Sequence, residues 1–253
     1  MQQLFVIQDV PSGLFLCDAD VSGSKSKWLH IMYHYVLLYI ILHCQHYEKH
    51  FSFYFIAGHT AQSAEEDIFL HPQNKWDWQD LETYTRSHLD SLVPNLTNLS
   101  SEYYPQVVSP LYQLVTMVTD IRVTCPTNLH AALVSESFRS PVYHYAVTSV
   151  PSAPVYHKGR ARYYAFRSWD ILAFFGTISR YTQIVTSEDL QFSRNLRHMA
   201  FEFARTGKLA HWKQFPEATA VVSKQIEPIL DYKRDVCTFW RKHGIVPKFS
   251  KRS

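Results

Sequence analysis

The run Tyr163-Tyr164-Ala165-Phe166-Arg167-Ser168-Trp169-Asp170-Ile171-Leu172-Ala173-Phe174-Phe175-Gly176 follows shortly behind Pro141-Val142-Tyr143-His144-Tyr145-Ala146-Val147, and together they decide how the chain is read. Val142 to Val147 is a short β-branched and aromatic run, the composition of a buried strand. The later run carries its polar character at Arg167 and Ser168 and closes on Phe174-Phe175-Gly176. A buried strand, a loop with a polar residue and an apolar close can bring a side chain to the end of a sheet.

Working outward, 253 residues that are 46% hydrophobic and 15% aromatic suffice for one sizeable core, as a single domain or part of a larger one. The net charge of +3 is mild, and Lys and Arg are scattered except for Lys248 to Arg252, so no nucleic-acid stripe is indicated. Cys17, Cys44, Cys125 and Cys237 form no Cys-x-x-Cys pair, which argues against a structural zinc or a redox motif and leaves one or two disulfides open. Asn95-Leu96-Thr97 and Asn98-Leu99-Ser100 are glycosylation acceptor triplets, which need a secretory route to matter. Met1 to Asp9 has neither a basic n-region nor a long apolar h-region and does not read as a signal peptide.

In chain order, Leu4 to Leu16 reads as a strand or extended segment running through the turn signal Pro11-Ser12-Gly13. Trp28 to Cys44 is apolar and aromatic, interrupted by His30, His34 and His43. As a membrane span it is short of the ~20 apolar residues a bilayer needs. His30 and His34 have the spacing of a helical ligand pair, but Ile31 stands where a zinc protease helix has its glutamate, and no third ligand is implied. Trp76, Trp78, Leu81, Tyr84, Leu89 and Leu92 approximate a helical face, and Leu111, Leu114, Val115 and Val118 form a second stripe bounded by the breakers Pro105 and Pro110. Thr127 is expected to cap a helix that turns Leu129, Ala132 and Leu133 inward. The clearest helix runs from Thr186 to Gly207: Thr186 and Asp189 make a capping box, Phe192, Leu196, Met199 and Phe203 share a face, and Gly207 ends it. Ile229 to Trp240 is expected as a closing helix.

Arg167 to Gly176 aligns without a gap with a His-Gly-x-x-x-x-Phe-x-Phe-Gly loop, Asp120 through Cys125-Pro126 with an aspartate-then-Cys-Pro approach to a helix, and Phe203 to Gly207 with Trp212, Phe215 and Pro216 with a late Phe-Ala, Thr-Gly, Trp-Pro pattern. In these residues the chain resembles the C-terminal portion of the type-B carboxylesterase and cholinesterase-like family. The resemblance covers about Phe55 to Phe215 and implies the C-terminal part of an α/β hydrolase fold, with few sheet strands and many helices. It divides the chain into 1–21, a remnant of a family segment, 22–54, an atypical apolar, His-rich insert ending in a strand, and 55–253, the carboxylesterase-like region. Phe53 to Gly58 is then the strand before the acid of a catalytic triad, and the family places a glutamate five residues after that glycine. Counting without a gap from Gly58 reaches Ser63, whereas two inserted residues restore an acid at Glu65, with Glu66 as the alternative. Glu65, Glu66 and Asp67 equally suit the positive end of a following helix.

Arg167 stands where the family has its catalytic histidine. A guanidinium offers donors and no acceptor, so it cannot take the proton of a serine hydroxyl as a general base must. His144 and His157, the histidines near the loop, read as ordinary strand or surface residues, and Trp169, Phe174 and Phe175 as core and wall residues. No glycine has serine two and glycine four positions later, so the nucleophile elbow is absent from the sequence, and no two glycines lie closer than ten residues, as a glycine-rich oxyanion loop would require. The chain therefore reads as roughly the final two fifths of a carboxylesterase, without independent hydrolysis of the family's small carboxylic esters. No cofactor or metal is implied. The alternatives are a non-catalytic interaction module of the adhesion type, using a protein partner, and a membrane-associated protein held by Trp28 to Cys44. Many relatives are secreted or membrane-associated.

Overall fold

The computed structural model describes residues 3–8, 53–66, 76–157 and 159–246. Trp28 to Cys44, with its His30 and His34, and Cys17 lie outside the described residues, as does nearly all of 22–54.

Seven strands are described: β1 (Gln3–Gln8), β2 (Phe53–Thr60), β3 (Val142–Val147), β4 (Val155–His157), β5 (Arg160–Arg162), β6 (Thr219–Val222) and β7 (Ile226–Ile229). Five form one sheet in the order β1-β2-β3-β6-β7, and β4 and β5 form a separate antiparallel pair. The first four strands of the sheet are parallel, and β7 returns antiparallel to β6. Every residue of β3 is buried, which explains why Val142 to Val147 reads as a continuous apolar run: a parallel strand covered on both faces has no solvent side to alternate with.

The helices are α1 (Trp78–Thr85), α2 (Leu96–Ser100), α3 (Pro110–Thr119), α4 (Cys125–Ser137), α5 (Trp169–Phe174), α6 (Ser187–Thr206) and α7 (Arg234–Lys242). On one side of the sheet, Ile56, Tyr143, Tyr145, Val147 and Val222 pack with Phe166 and Trp169 and with the buried stripe of α6, Phe192, Leu196, Met199 and Phe203. Helix α6 begins with the reciprocal Thr186–Asp189 capping box and ends on Gly207 at φ 67°, a left-handed conformation that glycine enters at little cost. A second cluster gathers Leu96, Tyr104, Met117 and Ile121 around Trp240 and Phe239 of α7. Within it Trp240 Nε1 donates to the Tyr104 hydroxyl at 2.9 Å, and that hydroxyl donates to the buried Asp120 carboxylate at 3.0 Å, which Lys233 Nζ also reaches at 3.0 Å.

Cys125 and Cys237 are disulfide-bonded and tie the start of α4 to α7 across 112 residues of sequence. Closing so long a loop removes freedom chiefly from the unfolded chain, so Cys237→Ser is expected to lower stability by about 4 kcal/mol, read as a fall in the urea midpoint together with a steeper slope, since the unfolded chain expands once the loop is open.

Several local expectations are corrected. α4 starts at Cys125, and Thr127 lies inside it. A five-residue π-helical turn, Asp120–Thr124, joins α3 to α4 without the break a cap would make. The inward residues of α4 are Ala131 and Val134, while Leu133 is exposed, because the helix begins earlier than the cap reading assumed. Ile229 ends strand β7, and the closing helix starts only at Arg234, after Asp231 and Lys233 adopt left-handed backbone. Of the expected wall residues Trp169 is buried, whereas Phe174 and Phe175 are exposed, since α5 ends there against the surface. Leu92 is likewise exposed beyond the end of α1.

Candidate functional site

The carboxyl ends of β2 and β3 lie side by side, with Thr60 in register with Val147, and in open α/β sheets this end is where ligands and reactive side chains gather. Beyond Thr60 the chain is held to the neighbouring loop first by backbone: Ala61 N–H donates to Val147 O at 2.8 Å and Gln62 N–H to Ala165 O at 3.0 Å. The Gln62 side chain completes the clasp by accepting from Ala165 N–H at 3.3 Å, while its amide donates to the Tyr112 hydroxyl and Thr116 Oγ1 of α3. The segment after β2 and the loop carrying Arg167 are thus one hydrogen-bonded unit.

Within it the two candidate acid positions differ in kind. Ser63, reached by the gap-free count, is fully buried, and its hydroxyl lies 2.9 Å from Thr60 Oγ1. Glu65 is partly exposed and faces the loop: its carboxylate accepts from Tyr163 N–H at 2.9 Å and Tyr164 N–H at 3.2 Å, and its carbonyl accepts from Arg162 Nη1 at 3.0 Å. Glu66 ends the same short 3₁₀ turn, Ser63–Glu66. Next to Glu65, burial pushes the Tyr164 hydroxyl above its ordinary pKa; its bond to Ser109 acts the other way, and the carboxylate adds to the rise. Removing the carboxylate frees two loop amides that are open to water, so Glu65→Ala should cost about 1 kcal/mol and Glu65→Gln less, measured by urea unfolding.

Arg167 is buried at the tip of the loop, directly before α5. The backbone turns through Ser168 at φ 75°, a left-handed conformation that a residue with a Cβ enters at a cost, where the resembling loop has glycine. Behind the turn, buried Asp170 accepts from the Tyr145 hydroxyl at 3.3 Å. Gly58 makes room for that tyrosine, since a Cβ on it would fall within the Tyr145 ring. His157 packs against Phe166, the neighbour of Arg167, at 5.7 Å between ring centroids. His144 lies on the opposite face, bonded through Nδ1 to Thr219 Oγ1 at 2.9 Å, and so is turned away from the loop.

The structure therefore brings Glu65 and Arg167 to one end of the sheet, joined through Tyr163 and Tyr164. Gln62, Arg162, Tyr145 and Asp170 complete the arrangement without having been singled out in the sequence; for Gln62 the signal was its place directly before Ser63 in the acid turn. Among the described residues no group of three His, Cys, Asp or Glu side chains is placed to hold a metal ion. No described helix is long and apolar enough to cross a membrane.

A mostly parallel sheet flanked by helices on both faces, with loops from two adjacent strands meeting at its carboxyl end, is an α/β architecture, consistent with part of an α/β hydrolase fold. The sequence model of the carboxylesterase family matches residues 34–240, and the chain belongs to that family. An esterase from Clostridium hathewayi, described as able to hydrolyse aliphatic aromatic polyesters, superposes with TM-score 0.50 at 14% identity over 76% of this chain and 38% of its own. A thermophilic PNB esterase gives TM-score 0.49 at 19% identity over 74% of this chain and 38% of its own. Another PNB esterase gives 0.47 at 20% identity, again over 37% of its length. The chain thus spans less than two fifths of the solved esterases it resembles. Comparison with individual curated proteins returned no match.

Proposed function

We propose that this chain is a carboxylesterase-family region that does not hydrolyse esters, in which the remains of the catalytic end serve structure. The observation that carries the reading is the buried Arg167 at the end of the β3 loop, at the position that the loop motif aligns with the family's histidine. A guanidinium at that position cannot act as a general base. Two further features support the reading: the 253 residues hold no Gly-x-Ser-x-Gly elbow, and the Glu65 carboxylate accepts from the backbone amides of Tyr163 and Tyr164. In this account Glu65 is a strut that pins Tyr163 and Tyr164, and Arg167 is a buried structural cation. The test is hydrolysis of short p-nitrophenyl esters by the purified chain, expected to match a buffer blank.

A second reading, binding to a protein partner, is favoured by Phe174 and Phe175. They form an edge-to-face pair at 4.7 Å and are 40% and 66% exposed directly beyond the Arg167 loop. Loss of a specific partner on Phe174→Ser plus Phe175→Ser, with folding intact, would support it; retention would remove it.

A further inference from the structure

Asn95 sits in the exposed turn ahead of α2 at φ 63°, a left-handed conformation that asparagine tolerates better than most residues. It begins the triplet Asn95-Leu96-Thr97, and exposed Asn98 begins a second, Asn98-Leu99-Ser100. Their amide nitrogens are not equivalent. Asn98 Nδ2 donates to Asn95 Oδ1 at 2.6 Å and Asn98 Oδ1 accepts from Arg86 Nη2 at 2.9 Å, so the Asn98 amide ties the turn together. Asn95 uses only its oxygen in that contact and leaves Nδ2 directed to no partner among the described residues.

A second, independent observation concerns the compartment. The buried Cys125–Cys237 disulfide belongs to chains that fold under oxidising conditions, and in eukaryotic cells the secretory route that supplies them also modifies Asn-x-Ser/Thr triplets. We infer that Asn95 is the N-glycan acceptor of this chain and that Asn98 is left unmodified. The donor would be a lipid-pyrophosphate-linked oligosaccharide. A bond forms between Asn95 Nδ2 and the anomeric carbon, the bond from that carbon to the pyrophosphate oxygen breaks, the lipid pyrophosphate leaves with the electron pair, and the amide nitrogen gives up one proton. The Asn95 oxygen stays free to accept from Asn98, so the turn survives the modification. A glycan on Asn98 would crowd the Arg86 contact, and two glycans so close would compete for one turn.

The full chain, directed through a eukaryotic secretory pathway by an appended leader, should carry one glycan released by peptide-N-glycosidase. Peptide mapping should place the resulting Asn-to-Asp conversion at Asn95. Thiol labelling of the same sample reports that Cys125 and Cys237 are oxidised, and the map of the unsubstituted chain requires no variant to fold. Asn95→Gln and Thr97→Ala should each abolish the mass shift, and Asn98→Gln should retain it. Absence of a glycosidase-sensitive shift, a glycan on Asn98, occupancy of both sites, or a shift that persists in Asn95→Gln would overturn the assignment.

Discussion

Arg167→His is expected to leave the chain without measurable ester hydrolysis, even though it puts a histidine at the position the loop motif aligns with the family's. A histidine acts by taking a proton from a positioned nucleophile, and this sequence has no serine elbow for it to serve. Members of a triad act as a unit, so restoring one while another is missing recovers little. The effect appears only in a complete context. In a chimera that joins an active esterase's upstream part, with its serine elbow and oxyanion loop, to this chain, the Arg167 form should be inert. The Arg167→His form should be faster by about 10³ or more, the scale of a triad member's contribution. Adding Glu65→Gln to the faster chimera separates strut from acid. A loss confined to stability supports the structural role of Glu65, and a large loss of kcat with folding intact would make it the triad acid.

Stability should fall steeply as the solution is acidified from about pH 6.5, the ordinary histidine pKa, because the core encloses two neutral imidazoles. His59 on β2 and His144 on β3 are 0% and 1% exposed on the same side of the sheet, with ring centroids 5.5 Å apart. Among the described residues neither His59 nitrogen has a hydrogen-bond partner, and His144 bonds through Nδ1, to Thr219. Around them stand Tyr232, at 6.2 Å from the His59 ring, Phe215 against His144, and Lys233, whose charge is shared with Asp120. Burial pushes the His144 pKa down to about 3. It holds His59 well below its ordinary value, with His144 and Lys233 adding repulsion. Both folded pKa values are depressed, so below about 6.5 the unfolded chain binds the protons and stability rises with pH, for His144 over the window down to about 3. His144 contributes a slope of about 1 kcal/mol per pH unit in that window, a sizeable part of a domain's usual ~5–15 kcal/mol by pH 4, and His59 acts in the same direction. Urea midpoints measured from pH 7 to pH 4 should trace this fall, and His144→Leu should flatten it. A flat profile in the unsubstituted chain would show that the pair is solvated.

What the sequence disclosed and what it hid follow from how local each signal is. Helix α6 was legible because its cap, stripe and terminal glycine lie within one segment, and β3 because burial on both faces leaves an uninterrupted apolar run. Thr127 misled because the continuous helical path from Asp120 to Cys125 makes a cap unnecessary, and nothing in the residue types announces a π-helical turn. Strands β6 and β7 were missed because four-residue strands, one containing Pro228, offer too little pattern. The pairing of Cys125 with Cys237 and the meeting of His59 with His144 arise only from chain folding across distant positions. At the candidate site, the loop carrying Arg167 is a local signal, readable by counting along a motif. The Glu65 contacts to Tyr163 and Tyr164 are not, because they depend on two loops converging beyond adjacent strands.

The most direct test of the proposal that this chain does not hydrolyse esters is a pre-steady-state assay of the unsubstituted chain with a chromogenic short-chain ester, with and without prior exposure to an organophosphate. The account predicts no burst of released alcohol, a steady rate equal to the buffer blank, and no covalent phosphoryl adduct by intact mass. A stoichiometric burst abolished by the organophosphate, with the adduct on a serine of this chain, would contradict it.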